Sequence, residues 1–175
     1  MAGRSVDDRI DELYGLAAGE FVAARNQLVR ELKKEGDKEV AAAVAALRRP
    51  SAAAWAVNQL ARRRRGELEQ LVALGAELRE AQAGAMAGAD ATELRAAARA
   101  RREAVAALAD VATAILAGEG SSPAAHRDAI VATLEAATLD AGAGGAVLAG
   151  RLASELEPPS GFGDADGDGG AWATP

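Results

Sequence analysis

The stretch SAAAWAVNQLARRRR, residues 51–65, decides how the rest of the chain is read. At about 100° per residue, Ala53, Val57, Leu60 and Ala61 share one apolar side of a helix. Trp55, Asn58, Gln59 and Arg62 fall together on the other, spaced i, i+3, i+4, i+7. Ser51, directly after Pro50, is the residue type that accepts the first free amides of such a helix. The helix is therefore expected from Ser51 to at least Arg62. Its polar face has two readings. An indole, two amides and an arginine are the groups that stack on bases, read their edges and hold phosphates. Alternatively, Trp55 packs between helices, Asn58 satisfies a buried backbone group, and Arg62, Arg63, Arg64 and Arg65 only favour the helix C-terminus.

Toward the N-terminus the pattern stays helical. Asp37 is placed to cap a helix carrying Val40, Val44 and Leu47, which Pro50 ends. With the turn Arg48-Arg49-Pro50-Ser51, these two helices loosely resemble a helix-turn-helix, but Ala52-Ala53-Ala54 would bring little to read bases. A preceding helix runs from about Gly19 to Glu35 and ends on Lys33, Lys34 and Gly36, cations in the last turn and then glycine. Phe21, Leu28, Val29 and Leu32 form its apolar face, with Arg25 in the middle. A guanidinium there must snorkel, pair with an acid or reach a ligand; Asp11, Glu12 and Glu39 are the expected partners. The opposite face holds Asn26, Arg30, Lys33 and Lys34, a candidate phosphate-contacting strip that also reads as a solvated face. Ser5 with Asp8 forms a capping box for a first helix to about Tyr14, broken at Gly15.

Toward the C-terminus, Leu68, Leu71, Leu74, Gly75 and Leu78 mark a helical stripe from Glu67 to about Met86. After a turn, Asp90 and Glu93 box a helix to about Ala117 with Leu94, Ala98, Val105, Leu108, Ala112, Ile115 and Leu116 on its face. Two such helices joined by a short loop imply an antiparallel hairpin. Ser122 and Pro123 are expected to start another helix, with Ile130, Val131 and Leu134 inward, and a short weak one is expected around Ala146–Glu155. From Glu157 onward the glycine, aspartate and proline content predicts a disordered tail with Phe162 and Trp172 as isolated aromatics.

Composition bounds the answer. Of 175 residues, 48 are alanine and 39 are larger apolar residues, too few for one thick core. Five aromatics and three isoleucines argue against a large β-sheet, and the excess of Ala, Leu, Arg and Glu favours helices. The absence of cysteine excludes disulfides, thiolate metal sites and cysteine nucleophiles. The N-terminus carries no apolar run of a signal peptide, and no stretch approaches the roughly 18–20 apolar residues of a membrane span. A cytoplasmic protein with no membrane association is expected. The net charge of -6 hides a split: residues 1–20 carry -3, residues 21–65 carry +7, and residues 66–175 carry -10.

Catalytic chemistry finds no support. His126 stands alone, without a metal-ligand set or a triad signature, and no phosphate-binding glycine loop is present. Asp164, Asp166, Asp168 and Gly169 imitate the start of a calcium loop, but Pro175 stands where a bidentate glutamate is needed. No cofactor and no metal are expected.

The segments EFVAARNQL (20–28), EGD (35–37), LRRPS (47–51) and AWAVNQLAR (54–62) resemble a family of small actinobacterial alanine-rich helical proteins. Its pattern reads EF-x-AARN, GD, LR+P-[ST]-x-AAW-x-[VL]-NQ-[LV]-AR. The resemblance covers residues 20–62 and extends loosely to the ending Arg151-Leu152 and Glu155-Leu156-Glu157-Pro158-Pro159. It implies an intracellular helical protein and no activity. It places Arg25, Asn26, Trp55, Asn58, Gln59 and Arg62 inside the family motif.

The sequence thus predicts an all-α chain: a compact basic N-terminal unit over 1–65, an acidic helical hairpin with a following helix over 66–156, and a tail over 157–175. The leading functional expectation is a non-enzymatic protein that binds the phosphate backbone of DNA or RNA. Its contacts would be Asn26, Arg30, Lys33, Lys34, Arg48, Arg49, Trp55, Asn58, Gln59 and Arg62–Arg65. Arg25 would be structural or ligand-facing. The rival is a protein-interaction or scaffold module, homodimeric in one version, that uses the alanine-rich hairpin.

Overall fold

The computed structural model describes residues 5–120 and 122–158. The Asp164–Asp168 motif, Phe162 and Trp172 lie outside the described residues, as does the expected tail from residue 159. The all-helical expectation holds. The described residues form α1 (Val6–Gly15), α2 (Phe21–Glu35), α3 (Lys38–Ala46), α4 (Ala52–Arg63), α5 (Arg65–Met86), α6 (Ala91–Gly118), α7 (Arg127–Leu139) and α8 (Ala141–Ala149).

Local chemistry sets most of these boundaries. Ser5 and Asp8 close both arms of the capping box of α1. Ser51 accepts the Ala54 amide at 3.2 Å, and Gly36 ends α2 at φ 96°. Five expectations shift. Asp90 caps α6 through the Thr92 amide at 3.1 Å rather than in a box with Glu93. Asp37 occupies the N-cap of α3 without a side-chain cap bond. Pro123 opens a turn, its carbonyl accepting the His126 amide at 3.2 Å, and α7 starts only at Arg127, where burial of Ile130 and Leu134 begins. The last helix lies at 141–149, because Asp140 caps it through the Ala143 amide at 2.7 Å and Gly150, at φ 66°, stops it. The four arginines do not close one helix. Arg64, at φ -136° and ψ 38°, breaks the path, so the run forms the corner between α4 and α5.

Packing centres on α4. Every residue from Ala53 to Ala61 is buried, and this helix shares one core with Leu68, Leu71, Leu108, Leu116, Ile130, Leu134, Leu152 and Leu156. The sequence groups α4 with the basic N-terminal unit; its core partners come largely from beyond residue 66. Small residues make this close packing workable. A Cβ on Gly75 would sit 2.1 Å from the Thr138 carbonyl oxygen, so α5 and α7 touch backbone to backbone there. Two smaller clusters hold the front of the chain. Leu28, Leu32, Ala41 and Val44 join α2 to α3, and Leu13, Tyr14 and Phe21 join α1 to α2, with the two rings edge to face at 5.1 Å.

α5 and α6, joined at Ala87–Asp90, form the expected antiparallel hairpin. Beyond α8, residues 150–158 run as an irregular strap whose Leu152 and Leu156 enter the core.

Candidate functional site

The polar face of α4 turns inward. Trp55 keeps 2% of its surface, and its indole Nε1 donates to the Leu16 carbonyl at 2.8 Å. Gln59 Nε2 donates to the carbonyls of Gly15 at 3.1 Å and Tyr14 at 3.4 Å. These three oxygens belong to the end of α1, where helix carbonyls lack an intrahelical partner. Asn58 is fully buried and treats Leu152 as a strand neighbour would. Its Nδ2 donates to the Leu152 carbonyl and its Oδ1 accepts the Leu152 amide, both at 2.8 Å. Arg62 Nη1 donates to the carbonyls of Gly150 at 2.7 Å and Asn58 at 3.0 Å, while Nη2 reaches the Asp11 carbonyl at 2.9 Å. Trp55, Asn58 and Gln59 are thus withdrawn from solvent and have their donors engaged by the protein's own backbone. That corrects their expected role as nucleic-acid contacts.

Arg25 makes a structural contact, but not with an expected acid. Its Nη1 donates to the Leu47 carbonyl at 2.8 Å and its Nε and Nη2 to Asn26 Oδ1, with none of Asp11, Glu12 or Glu39 as partner. Leu47 is the C-cap of α3, so Arg25 closes that helix from outside. The pattern recurs. Arg62 and Arg65 reach the end of α8, at Gly150 and at Leu148 (3.3 Å), and Arg79 reaches the end of α7, at Thr138 (2.8 Å) and Leu139 (3.5 Å). Cations are favoured at helix C-termini, where carbonyls and the macrodipole concentrate negative charge. Across α1, α3, α7 and α8, side chains from other helices do this work.

The remaining expected contacts are spread over α2, the turn before α4 and the corner after it. Arg48 and Arg49 precede α4 and Arg63 ends it, so about 17 Å of helix separates the two groups. Arg64 pairs with Glu67 at 3.2 Å and Arg65 with Glu69 at 2.9 Å, exposed pairs worth little. Arg30, Lys33, Lys34, Arg48, Arg49 and Arg63 are exposed, with no carboxylate within 4.0 Å among the described residues.

An ionic clasp that sequence reasoning missed ties α1 to the strap. Arg151 Nε meets Asp11 Oδ1 at 2.7 Å and Nη1 meets Asp7 Oδ1 at 3.0 Å. The hydrogen bond from Arg151 holds the Asp11 carboxyl below the usual carboxylate range, with partial burial pulling the other way. Burial lowers the Arg62 guanidinium from its ordinary value, against the pull of Asp11. Arg101, also missed, carried a signal: it lies on the apolar stripe of Leu94, Ala98 and Val105, as Arg25 lies on its own.

One surface is left uncovered. Between Leu78 and Val105 no residue is buried, so the free half of the hairpin is two helices thick with no third layer. A shallow groove of about 620 Å³ runs along it, floored by Ala81, Gly84, Ala96 and Ala97 and rimmed by Glu77, Glu80, Asp90 and Glu93. Met86, at its end, is 91% exposed. Among the described residues, no cluster of three or more His, Cys, Asp or Glu could hold a metal ion, and no helix is long and apolar enough to cross a membrane. No family model, no curated protein and no solved structure matches the chain.

Proposed function

We propose that the protein is a non-enzymatic interaction module of the cytoplasm, belonging with the actinobacterial family its motif resembles, and that the free half of the α5–α6 hairpin is its contact surface. The observation that carries this is the alanine-floored groove with no third layer over it, from Leu78 to Val105. Small residues let a further helix approach closely, and the acidic rim selects a basic one. Such a helix exists in the same chain, since Arg30, Lys33 and Lys34 lie exposed on α2. The partner is therefore read as a second copy, its α2 laid against the hairpin. Sedimentation velocity over a range of micromolar concentrations tests this. Mass should rise with concentration at low salt, fall back at high salt, and stay monomeric when Glu80→Lys and Glu93→Lys are combined. A monomer at every concentration would contradict it.

A second reading rests on a different observation, six exposed cations with no carboxylate within 4.0 Å among the described residues, of which Lys34 still feels the charge of Glu31. They suit the phosphate backbone of DNA or RNA, with Trp55, Asn58 and Gln59 taking no part. Binding should then be indifferent to sequence and weaken steeply with salt. No shift of mixed DNA or RNA at micromolar protein and low salt would end this reading.

A further inference from the structure

Two arginines converge where the hairpin leaves the body. Arg79 of α5 donates from Nη1 to the Thr138 carbonyl at 2.8 Å. Arg101 of α6 donates from Nη1 to the Thr138 hydroxyl at 3.0 Å, and that hydroxyl gives its own proton to the Glu135 carbonyl at 2.7 Å. Thr138 is 1% exposed, so both guanidiniums are fixed against one buried residue. No carboxylate lies within 4.0 Å of either among the described residues. Arg101 Nε is buried and has no acceptor at all.

The C-terminus of α7 explains one of these cations. A helix end presents a negative partial charge of about half a unit, which one arginine already outweighs. Arg79 satisfies the terminal carbonyls. Arg101 adds a second full charge, partly withdrawn from water and facing only a hydroxyl. A guanidinium in that position is costly without an anionic partner. Both guanidiniums reach Thr138 through Nη1 and keep further N–H groups, and a tetrahedral oxyanion can accept hydrogen bonds from two arginines at once.

We infer that Arg79 and Arg101 form a binding site for an oxyanion of the phosphoryl class at the base of the hairpin. The anion neutralises the charge excess and fixes the waist between α5, α6 and α7. This site is separate from the groove, and its fate does not depend on the contact proposed above.

Thermal unfolding of the full chain tests it, with inorganic phosphate as the probe and sodium chloride at matched ionic strength as the reference. Phosphate should raise Tm further than chloride, along a saturating curve, as a ligand of the folded state does. The extra rise should vanish in Arg101→Gln and persist in Lys33→Gln, which alters the strip on α2. If Arg101→Gln does not fold, Arg79→Gln, an exposed side chain, decides the question by the same loss. A phosphate effect no larger than that of chloride overturns the proposal. So does an extra rise that survives in Arg79→Gln, for that means the anion binds elsewhere.

Discussion

Asn58 and Gly75 are the residues on which the arrangement depends most. Asn58 closes a two-bond ring with the Leu152 backbone inside the core, and Gly75 leaves room for the Thr138 carbonyl. An added methyl at Gly75 meets backbone rather than a movable side chain, so α5 and α7 must part. Gly75→Ala should cost roughly 1–3 kcal/mol in urea unfolding, against a gain from helix propensity of about 1 kcal/mol at an unconstrained site. Such dependence is only half legible from sequence. The face Trp55, Asn58, Gln59 and Arg62 follows from spacing alone, and its reading as an interior seam was one of two open choices. Spacing shows which side chains share a face. It does not show that α8 and the strap lie across that face, because Leu152 is 94 residues from Asn58. Arg25 shows the same limit: its awkward position was legible, its partner, a bare carbonyl, was not.

Helix ends organise the molecule at the next scale. Short helices such as α1, α3 and α8 have a large share of their carbonyls unpaired. Arginine and amide side chains from neighbouring helices satisfy them, which ties each element to the next. The caps Ser5, Ser51 and Asp90 are readable because they act on amides two or three residues away, whereas the expected caps Asp37 and Ser122 form no such bond to α3 and α7. The C-terminal donors come from remote helices and carry no local signature. The α8 boundary was missed because its glycine content, at Gly142, Gly144 and Gly145, hides a helix that Asp140 caps and packing holds. The hairpin is the exception to this mutual support. With no buried residue between Leu78 and Val105, its free half should open with little cost. Amide hydrogen exchange should be markedly faster at residues 81–98 than at Leu68–Leu78 of the same α5, unless a partner covers the groove.

At the scale of the whole molecule, distant parts of the chain are held side by side. The strap bonds to α4 through Asn58 and to α1 through Arg151, while Thr133 accepts the Leu156 amide at 3.1 Å. Acid should loosen the α1 contact first. Asp11 has a folded pKa below its unfolded one, so its contribution is complete above the unfolded value of about 3.9 and is lost as pH falls through the lower folded value. The Asp11 side chain is 50% exposed, so solvent screens the effect below what the shift alone implies. The stability difference between the wild type and Asp11→Asn should be flat above about pH 5 and shrink toward zero in stronger acid, as read by urea unfolding. The central claim is that the α4 face binds its own chain. Asn58→Ala with amide exchange measured at Leu152 tests it most directly. The account predicts a loss of roughly 2–4 kcal/mol and a deprotected Leu152 amide, since a buried donor and acceptor lose their partner and a cavity opens. Unchanged stability and an amide still protected would contradict it.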